Sequence, residues 1–121
     1  MAKILLIEDI DDNAALVKKA VQAKGFEFTW AKNATEGIRL ALEEVPDLII
    51  LDLGLPDVDG QTLSSWLRDE KTLWKTPIIV MTAWPEKIAQ QTVQAYELDG
   101  YISKPFNLND FWDIIGKFVQ A

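Results

Sequence analysis

The stretch Asp47-Leu48-Ile49-Ile50-Leu51-Asp52-Leu53-Gly54-Leu55-Pro56-Asp57-Val58-Asp59-Gly60 decides the fold. Four apolar residues run into a carboxylate, Asp52, and a segment dense in Gly, Pro and Asp follows. An apolar run of that length between turn formers reads as a strand buried on both faces. In open α/β sheets ligands bind beyond the carboxyl ends of the strands, so Asp52 stands where chemistry is expected. Taken alone, a strand-end Asp is most simply a solvated side chain. Its neighbours decide between the two readings.

Upstream, Ile4–Ile7 is a second apolar run, ending in Glu8-Asp9. From Asp11 to Lys24 the residues Ala14, Leu16, Val17, Ala20 and Val21 recur at helical spacing. Asp11, Asp12 and Asn13 supply cap and first-turn signals there, and Gly25 a stop. Phe26–Trp30 alternates with period two, as a half-buried edge strand does. Asn33 or Thr35 can cap a helix carrying Ile38, Leu40, Ala41 and Leu42, with Pro46 beyond its end.

Downstream, Asp59 or Gly60 opens a helix with Leu63, Trp66 and Leu67 on one face. Ile78–Met81 is another buried strand, ending at Thr82. Pro85 suits the first turn of a helix reaching about Glu97. Tyr101-Ile102-Ser103 is a short strand, followed by Lys104-Pro105. Asn107 or Asn109 opens a last helix bearing Leu108, Phe111, Trp112, Ile114, Ile115, Phe118 and Val119. Trp66 and Trp112 read as core aromatics and Trp74 as exposed. The apolar arc of the last helix spans roughly 160°, wider than one buried face needs, and with Val93 and Tyr96 exposed on the fourth helix it points to a protein-binding or dimer face.

Five alternations of strand and helix imply an α/β fold, a five-stranded parallel sheet covered by helices on both faces. Right-handed crossovers and a switch point favour strand order 2-1-3-4-5. In that sheet Glu8-Asp9, Asp52, Thr82 and Lys104 all end on one rim. The first and third strands are then neighbours about 4.8 Å apart. Carboxylates roughly 5 Å apart repel by about 3 kcal/mol at an effective dielectric of 20, and one lysine does not offset three acids. An all-oxygen, mostly carboxylate site suits Mg²⁺, which binds alongside phosphate. A carboxylate nucleophile, a cation and a hydroxyl around such a metal are the parts needed for phosphoryl transfer to an aspartate.

Composition narrows the alternatives. The 121 residues carry 49 % apolar and 26 % charged side chains, ordinary for one soluble domain, here expected to span 1–121. There is no cysteine and no histidine. That leaves no disulfide framework, no thiolate or imidazole metal site, and no phosphohistidine of the chain's own. A net charge of -7 with scattered Lys and Arg argues against nucleic-acid binding. The N-terminal apolar run is too short for a signal peptide and no stretch is long enough for a membrane span, so a cytoplasmic protein is expected.

These motifs together resemble a receiver domain of the two-component response regulators, of the single-domain chemotaxis-regulator type with a flavodoxin-like fold, over essentially the whole chain. The resemblance rests on Glu8-Asp9, Asp52 within Leu51–Gly60, Thr82-Ala83, and Lys104-Pro105-Phe106 preceded by Tyr101. It implies Asp52 as phosphoacceptor, with Asp9 and Asp52 as Mg²⁺ ligands, Glu8 acting through water, and the Gly54 carbonyl as a backbone ligand. It implies Thr82 and Lys104 as the groups that receive the phosphoryl oxygens, a cis Lys104–Pro105 peptide, and Tyr101 as an aromatic that turns with Thr82. The implied donor is a histidine kinase or phosphotransfer protein. The implied output is a changed surface on the fourth helix, fifth strand and fifth helix, read by a downstream protein target, an output domain or a second copy.

Two positions depart from the common pattern: Gly54 puts no side chain over the site, and Trp84 puts a large ring there. Both are expected to tune access of the hydrolytic water. The chain is thus expected to be a switch that catalyses its own phosphorylation and dephosphorylation rather than an enzyme acting on others. The alternative is a degenerate receiver serving as a phosphorylation-independent interaction module. An aspartyl-phosphate hydrolase would carry a second acid where Gly54 stands, and a flavodoxin would not place Glu8-Asp9 beside a phosphate.

Overall fold

In the computed structural model, which describes residues 2–119, the sheet has five parallel strands in the order β2-β1-β3-β4-β5. The strands are β1 (Lys3–Ile7), β2 (Glu27–Ala31), β3 (Leu48–Asp52), β4 (Ile78–Thr82) and β5 (Gly100–Ser103). They alternate with α1 (Asp11–Ala23), α2 (Ala34–Glu44), α3 (Gly60–Asp69), α4 (Glu86–Ala95) and α5 (Leu108–Ile115), plus a 3₁₀ turn at Lys71–Leu73. The expected doubly wound fold and strand order are therefore observed. Every residue of β3 and β4 is buried, as continuous apolar runs require, whereas edge strand β2 is mostly half-exposed.

Alternation along the strands splits the core into two layers. Ile4, Leu6, Leu48, Ile50, Ile79 and Met81 face Val17, Val21, Phe111 and Ile115 on the α1/α5 side. Leu5, Ile7, Ile49, Leu51, Ile78 and Val80 face Ala41, Leu63 and Leu67 on the α2/α3 side. Burying this much aliphatic side chain on both faces, at about 1.5–3 kcal/mol for each large residue, fixes the register of the central strands and so the height of the residues at their ends.

Capping settles the helix starts. Asn33, Asp59 and Asn107 each accept a hydrogen bond from the backbone N–H three residues on, at 2.8 Å in every case. α1 has no side-chain cap at Ile10; Asp11 and Asp12 lie in its first turn, and Asn13 is used elsewhere. α4 stops at Ala95 rather than near Glu97, which is in the left-handed region at φ 55.

Three packing expectations are corrected. Trp66 is 47 % exposed, not core. The buried stripe of α3 is Gly60, Leu63, Ser64 and Leu67, and at 100° per residue Trp66 lies roughly 110° from its centre. Val93 and Tyr96 are half-buried against the α2/α3 layer rather than free on the surface. α5 ends at Ile115, and Phe118 and Val119 follow it in a tightened turn. There Lys117 and Phe118 donate to the carbonyls three residues back, at 3.3 and 3.0 Å. Trp112 is half-buried, with Phe111 edge-on at 5.1 Å, and Trp74 is exposed as expected.

The loop after Asp52 is held from both ends. Gly60 donates to the Leu53 carbonyl at 3.1 Å, and a Cβ on Gly60 would sit 2.5 Å from Leu53 Cα, so only glycine lets α3 start this close. Asp57 in the same loop accepts from the backbone N–H groups of Ala34 and Thr35, at 2.9 and 3.1 Å, and from the Thr35 hydroxyl. The free N–H groups of α2 thereby anchor the loop that leads away from Asp52. These hydrogen bonds also hold the Asp57 carboxyl below its ordinary pKa.

Candidate functional site

Four strand ends deliver the expected groups to one rim. Glu8 and Asp9 follow β1, Asp52 and Thr82 close β3 and β4, and Lys104 follows β5. One carboxylate oxygen from each of Glu8, Asp9 and Asp52 lies within 4.8 Å of the other two. The Lys104 ammonium reaches Asp52 Oδ1 at 3.1 Å and Glu8 Oε2 at 3.5 Å. Lys104 owes this reach to its backbone, whose N–H donates to the Thr82 carbonyl at 2.8 Å and continues the β4–β5 ladder. The Lys104–Pro105 peptide is cis.

The acids differ in setting. Glu8 is fully buried, Asp52 nearly so, and Asp9 half-buried. Glu8 Oε1 accepts from Asn13 Nδ2 at 3.1 Å and from the Ile10 N–H at 3.3 Å. Glu8 Oε2 and Asp9 Oδ1 are buried without a hydrogen-bond partner. Asp52 Oδ1 also accepts from the Gly54 N–H at 3.2 Å. Burial, and then the Asp52 charge, raise the Glu8 pKa; Asn13, Lys104 and Ile10 oppose the rise.

A pH dependence follows, and its sign is fixed. Between the ordinary 4.5 and its raised folded value, Glu8 binds its proton more tightly folded than unfolded. Stability of the metal-free protein should therefore fall as pH rises through that window, with no penalty below it. Glu8→Gln keeps an acceptor for Asn13 and Ile10 and removes the charge. Melting temperatures in chelator from pH 4 to 8 should show the variant flatter than the parent and more stable at pH 7. Parallel curves would refute the assignment of the strain to Glu8.

On β4, Thr82 is buried, and its Oγ1 accepts from the Trp84 N–H at 2.9 Å, which leaves the hydroxyl proton to donate. Trp84 itself is 38 % exposed. A Cβ on Gly54 would lie 3.9 Å from both Asp52 oxygens, so the glycine leaves the approach to that carboxylate open. Tyr101 is half-buried on β5, and its hydroxyl donates to Glu86 Oε1 of α4 at 3.1 Å. It flanks the cluster instead of joining it.

A sequence model of the response regulator receiver domain matches residues 4–116. The chain belongs to that family. The receiver is 32 % identical over 116 residues to the polar-differentiation response regulator DivK of Brucella anthropi, covering 96 % of this chain and 94 % of the relative. The chemotaxis response regulator CheY4 of Vibrio cholerae superposes with a TM-score of 0.92 at 25 % identity, over 98 % of this chain and 99 % of that one. A two-component response regulator from Clostridium difficile superposes with a TM-score of 0.89 at 30 % identity, over 98 % and 95 %. Receivers of this family take phosphoryl groups from histidine kinases and act on downstream targets, and Mg²⁺ and phosphoaspartate are typical of them. Among the described residues no helix is long and apolar enough to cross a membrane.

Three supporting residues escaped the sequence reading. Asn13 looks like a helix-start residue but spends its amide on Glu8. Asp57 looks like turn chemistry but caps α2 from another loop. Trp30 looks like strand packing, yet its indole N–H donates to the Glu8 carbonyl at 2.7 Å. Each contact joins residues far apart in sequence or pointing off the expected face, so periodicity carries no signal for it.

Proposed function

We propose that this receiver is a phosphorylation-controlled switch with Asp52 as acceptor. The observation that carries the reading is three carboxylates converging within 4.8 Å with the Lys104 ammonium 3.1 Å from Asp52. Asp9 Oδ1 and Glu8 Oε2, buried without a hydrogen bond and the latter with only the Lys104 ammonium 3.5 Å away, fit a hard divalent cation, and Asp9, Asp52, the Gly54 carbonyl and, through water, Glu8 would hold it. A bound Mg²⁺ would supply neutralisation of phosphoryl charge.

An Asp52 carboxylate oxygen attacks the phosphorus of a partner's phosphohistidine. The P–N bond breaks, and its electron pair returns to the imidazole. Lys104 transfers its ion pair from the carboxylate to a phosphoryl oxygen, and the Thr82 hydroxyl donates to another. Drawing Thr82 toward the phosphoryl group leaves room for Tyr101 to turn inward and break its bond to Glu86, reshaping the α4–β5–α5 surface that a target protein, an output domain or a second copy reads. Shifting such an equilibrium from 1:99 to 99:1 takes about 5.5 kcal/mol. One charge-assisted hydrogen bond is worth roughly 1.5–3 kcal/mol, so Thr82 and Lys104 must act together.

The test is phosphoryl uptake from acetyl phosphate with Mg²⁺, read by mass spectrometry with a chelator control. One added group, lost in Asp52→Asn, supports the reading. No uptake from this donor or from a phosphohistidine protein would turn it toward a phosphorylation-independent interaction module.

Trp84 and Gly54 are assigned to water access. Trp84→Ala should shorten the lifetime of the phosphorylated form several-fold, measured as loss of the added mass after donor removal. An unchanged lifetime would leave Trp84 without that role.

A further inference from the structure

The Glu8-Asp9 pair has a support that lies outside the rim. The β1–β2 ladder pairs Leu6 with Trp30 and Ile7 with Ala31. Its last backbone rung runs from the Glu8 N–H to the Ala31 carbonyl at 3.0 Å. The chain then bends away at Lys32 and Asn33 to start α2, so no further rung forms. The Glu8 carbonyl would be left without a strand partner. The Trp30 indole N–H takes the place of the missing rung, 2.7 Å from that oxygen.

That carbonyl belongs to the peptide joining Glu8 to Asp9. A peptide unit is planar, so holding its oxygen sets the orientation of the Asp9 N–H and the direction in which both side chains leave the backbone. The indole is itself restrained. It packs against the α1/α5 core layer, and the Lys32 ammonium lies over it, 4.9 Å from the ring centroid. Meanwhile Asn13 and the Ile10 N–H hold the Glu8 side chain. The Glu8 side chain and the peptide from which Asp9 departs are thus both held from the side away from the acid cluster.

We propose that Trp30 is a positioning residue for the metal-holding acids, setting the Glu8–Asp9 peptide through its indole N–H and so raising the affinity of the rim for Mg²⁺. The proposal rests on the functional reading above. Partners behind metal ligands typically change affinity by about 10–100-fold. Trp30 acts through a ligand's backbone, so the lower end is expected.

The test is a Mg²⁺ titration by calorimetry of the chelator-stripped protein and of Trp30→Phe, which keeps an aromatic ring and deletes the N–H. The expected result is a Kd about tenfold weaker in the variant; a Kd within twofold of the parent overturns the proposal. The parent also gives a readout that needs no variant. Its Trp30 indole N–H resonance should shift when Mg²⁺ saturates the rim, because the bond to Glu8 tightens with its acid pair, whereas a purely packing role leaves it in place. If Trp30→Phe fails to fold, that resonance decides alone: a shift supports the proposal and a fixed position overturns it. If the parent binds no Mg²⁺ at all, the functional reading falls and the inference with it; if only the variant comparison fails, the functional reading stands.

Discussion

Asp52→Asn is expected to abolish phosphoryl uptake and, with divalent cations chelated, to raise the melting temperature. The first effect follows from the proposed function, in which Asp52 supplies the attacking oxygen. The second comes from distances. Asp52 places an oxygen within 4.8 Å of both Glu8 and Asp9, each repulsion worth about 3.5 kcal/mol or more at an effective dielectric of 20. Its attraction to the Lys104 ammonium at 3.1 Å is worth about 5 kcal/mol on the same scale. Repulsion wins by about 2 kcal/mol before the cost of burying the charge is added. The amide oxygen of Asn can still accept from the Gly54 N–H. A stabilisation of about 2 kcal/mol corresponds to roughly 5–10 °C in a domain of this size. Adding Mg²⁺ should shrink the difference, because the parent then binds the cation that its surplus charge calls for. A metal-free variant that melts at or below the parent would refute the repulsion.

Lys104→Met should act in the opposite direction. The methionine fills much of the same volume, but Glu8 and Asp52 lose the ammonium 3.5 and 3.1 Å away. Removing one partner of a buried ion pair costs about 3–5 kcal/mol, because the other charge remains buried and unpaired. Here at least two carboxylates are left so. Urea denaturation at pH 7 in chelator should show that loss, and it should diminish toward pH 4 as Glu8 takes up its proton. On the proposed function, in which Lys104 meets a phosphoryl oxygen, phosphoryl transfer should slow as well. In the double variant with Asp52→Asn the penalty of Lys104→Met should be smaller than in the parent, a coupling that a double-mutant cycle measures directly. A loss below about 1 kcal/mol at neutral pH would mean that the acids are relieved some other way.

The two substitutions touch the same pair of atoms and have opposite signs, and this captures the energetic design. The rim is short of positive charge by construction. Its stability is held by β3 and β4, which are buried along their whole length, while the charges at their ends are left in conflict. A fold that concentrates repulsion at one point stores a driving force for whatever neutralises it there.

Much of this was legible in the chain itself. The apolar runs at Ile4–Ile7, Leu48–Leu51 and Ile78–Met81 are long enough to be strands buried on both faces and too short to be helices, so the parallel sheet follows from hydrophobic patterning. Once the sheet follows, so does the candidate site, because Asp52, Thr82, Glu8-Asp9 and Lys104 are each placed by their position at a strand end. The backbone dictates these positions, and sequence order is enough to find them.

What tertiary structure alone decided lies in the side chains that hold the site from behind. Whether Asn13 caps its own helix or serves Glu8, whether Asp57 turns its loop or caps α2, and whether Trp30 only packs or also closes the β1–β2 ladder each depend on which long-range neighbour offers the missing partner. Trp66 belongs with them: the stripe of α3 that meets the sheet is set by where the helix sits, and that left the ring outside. Local periodicity fixes the face of an element to within a residue or so, but a hydrogen bond is satisfied or lost over less than an ångström. The sequence alone determined the sheet and the residues on its rim; the geometry that aims them was decided by contacts made only when the chain closed.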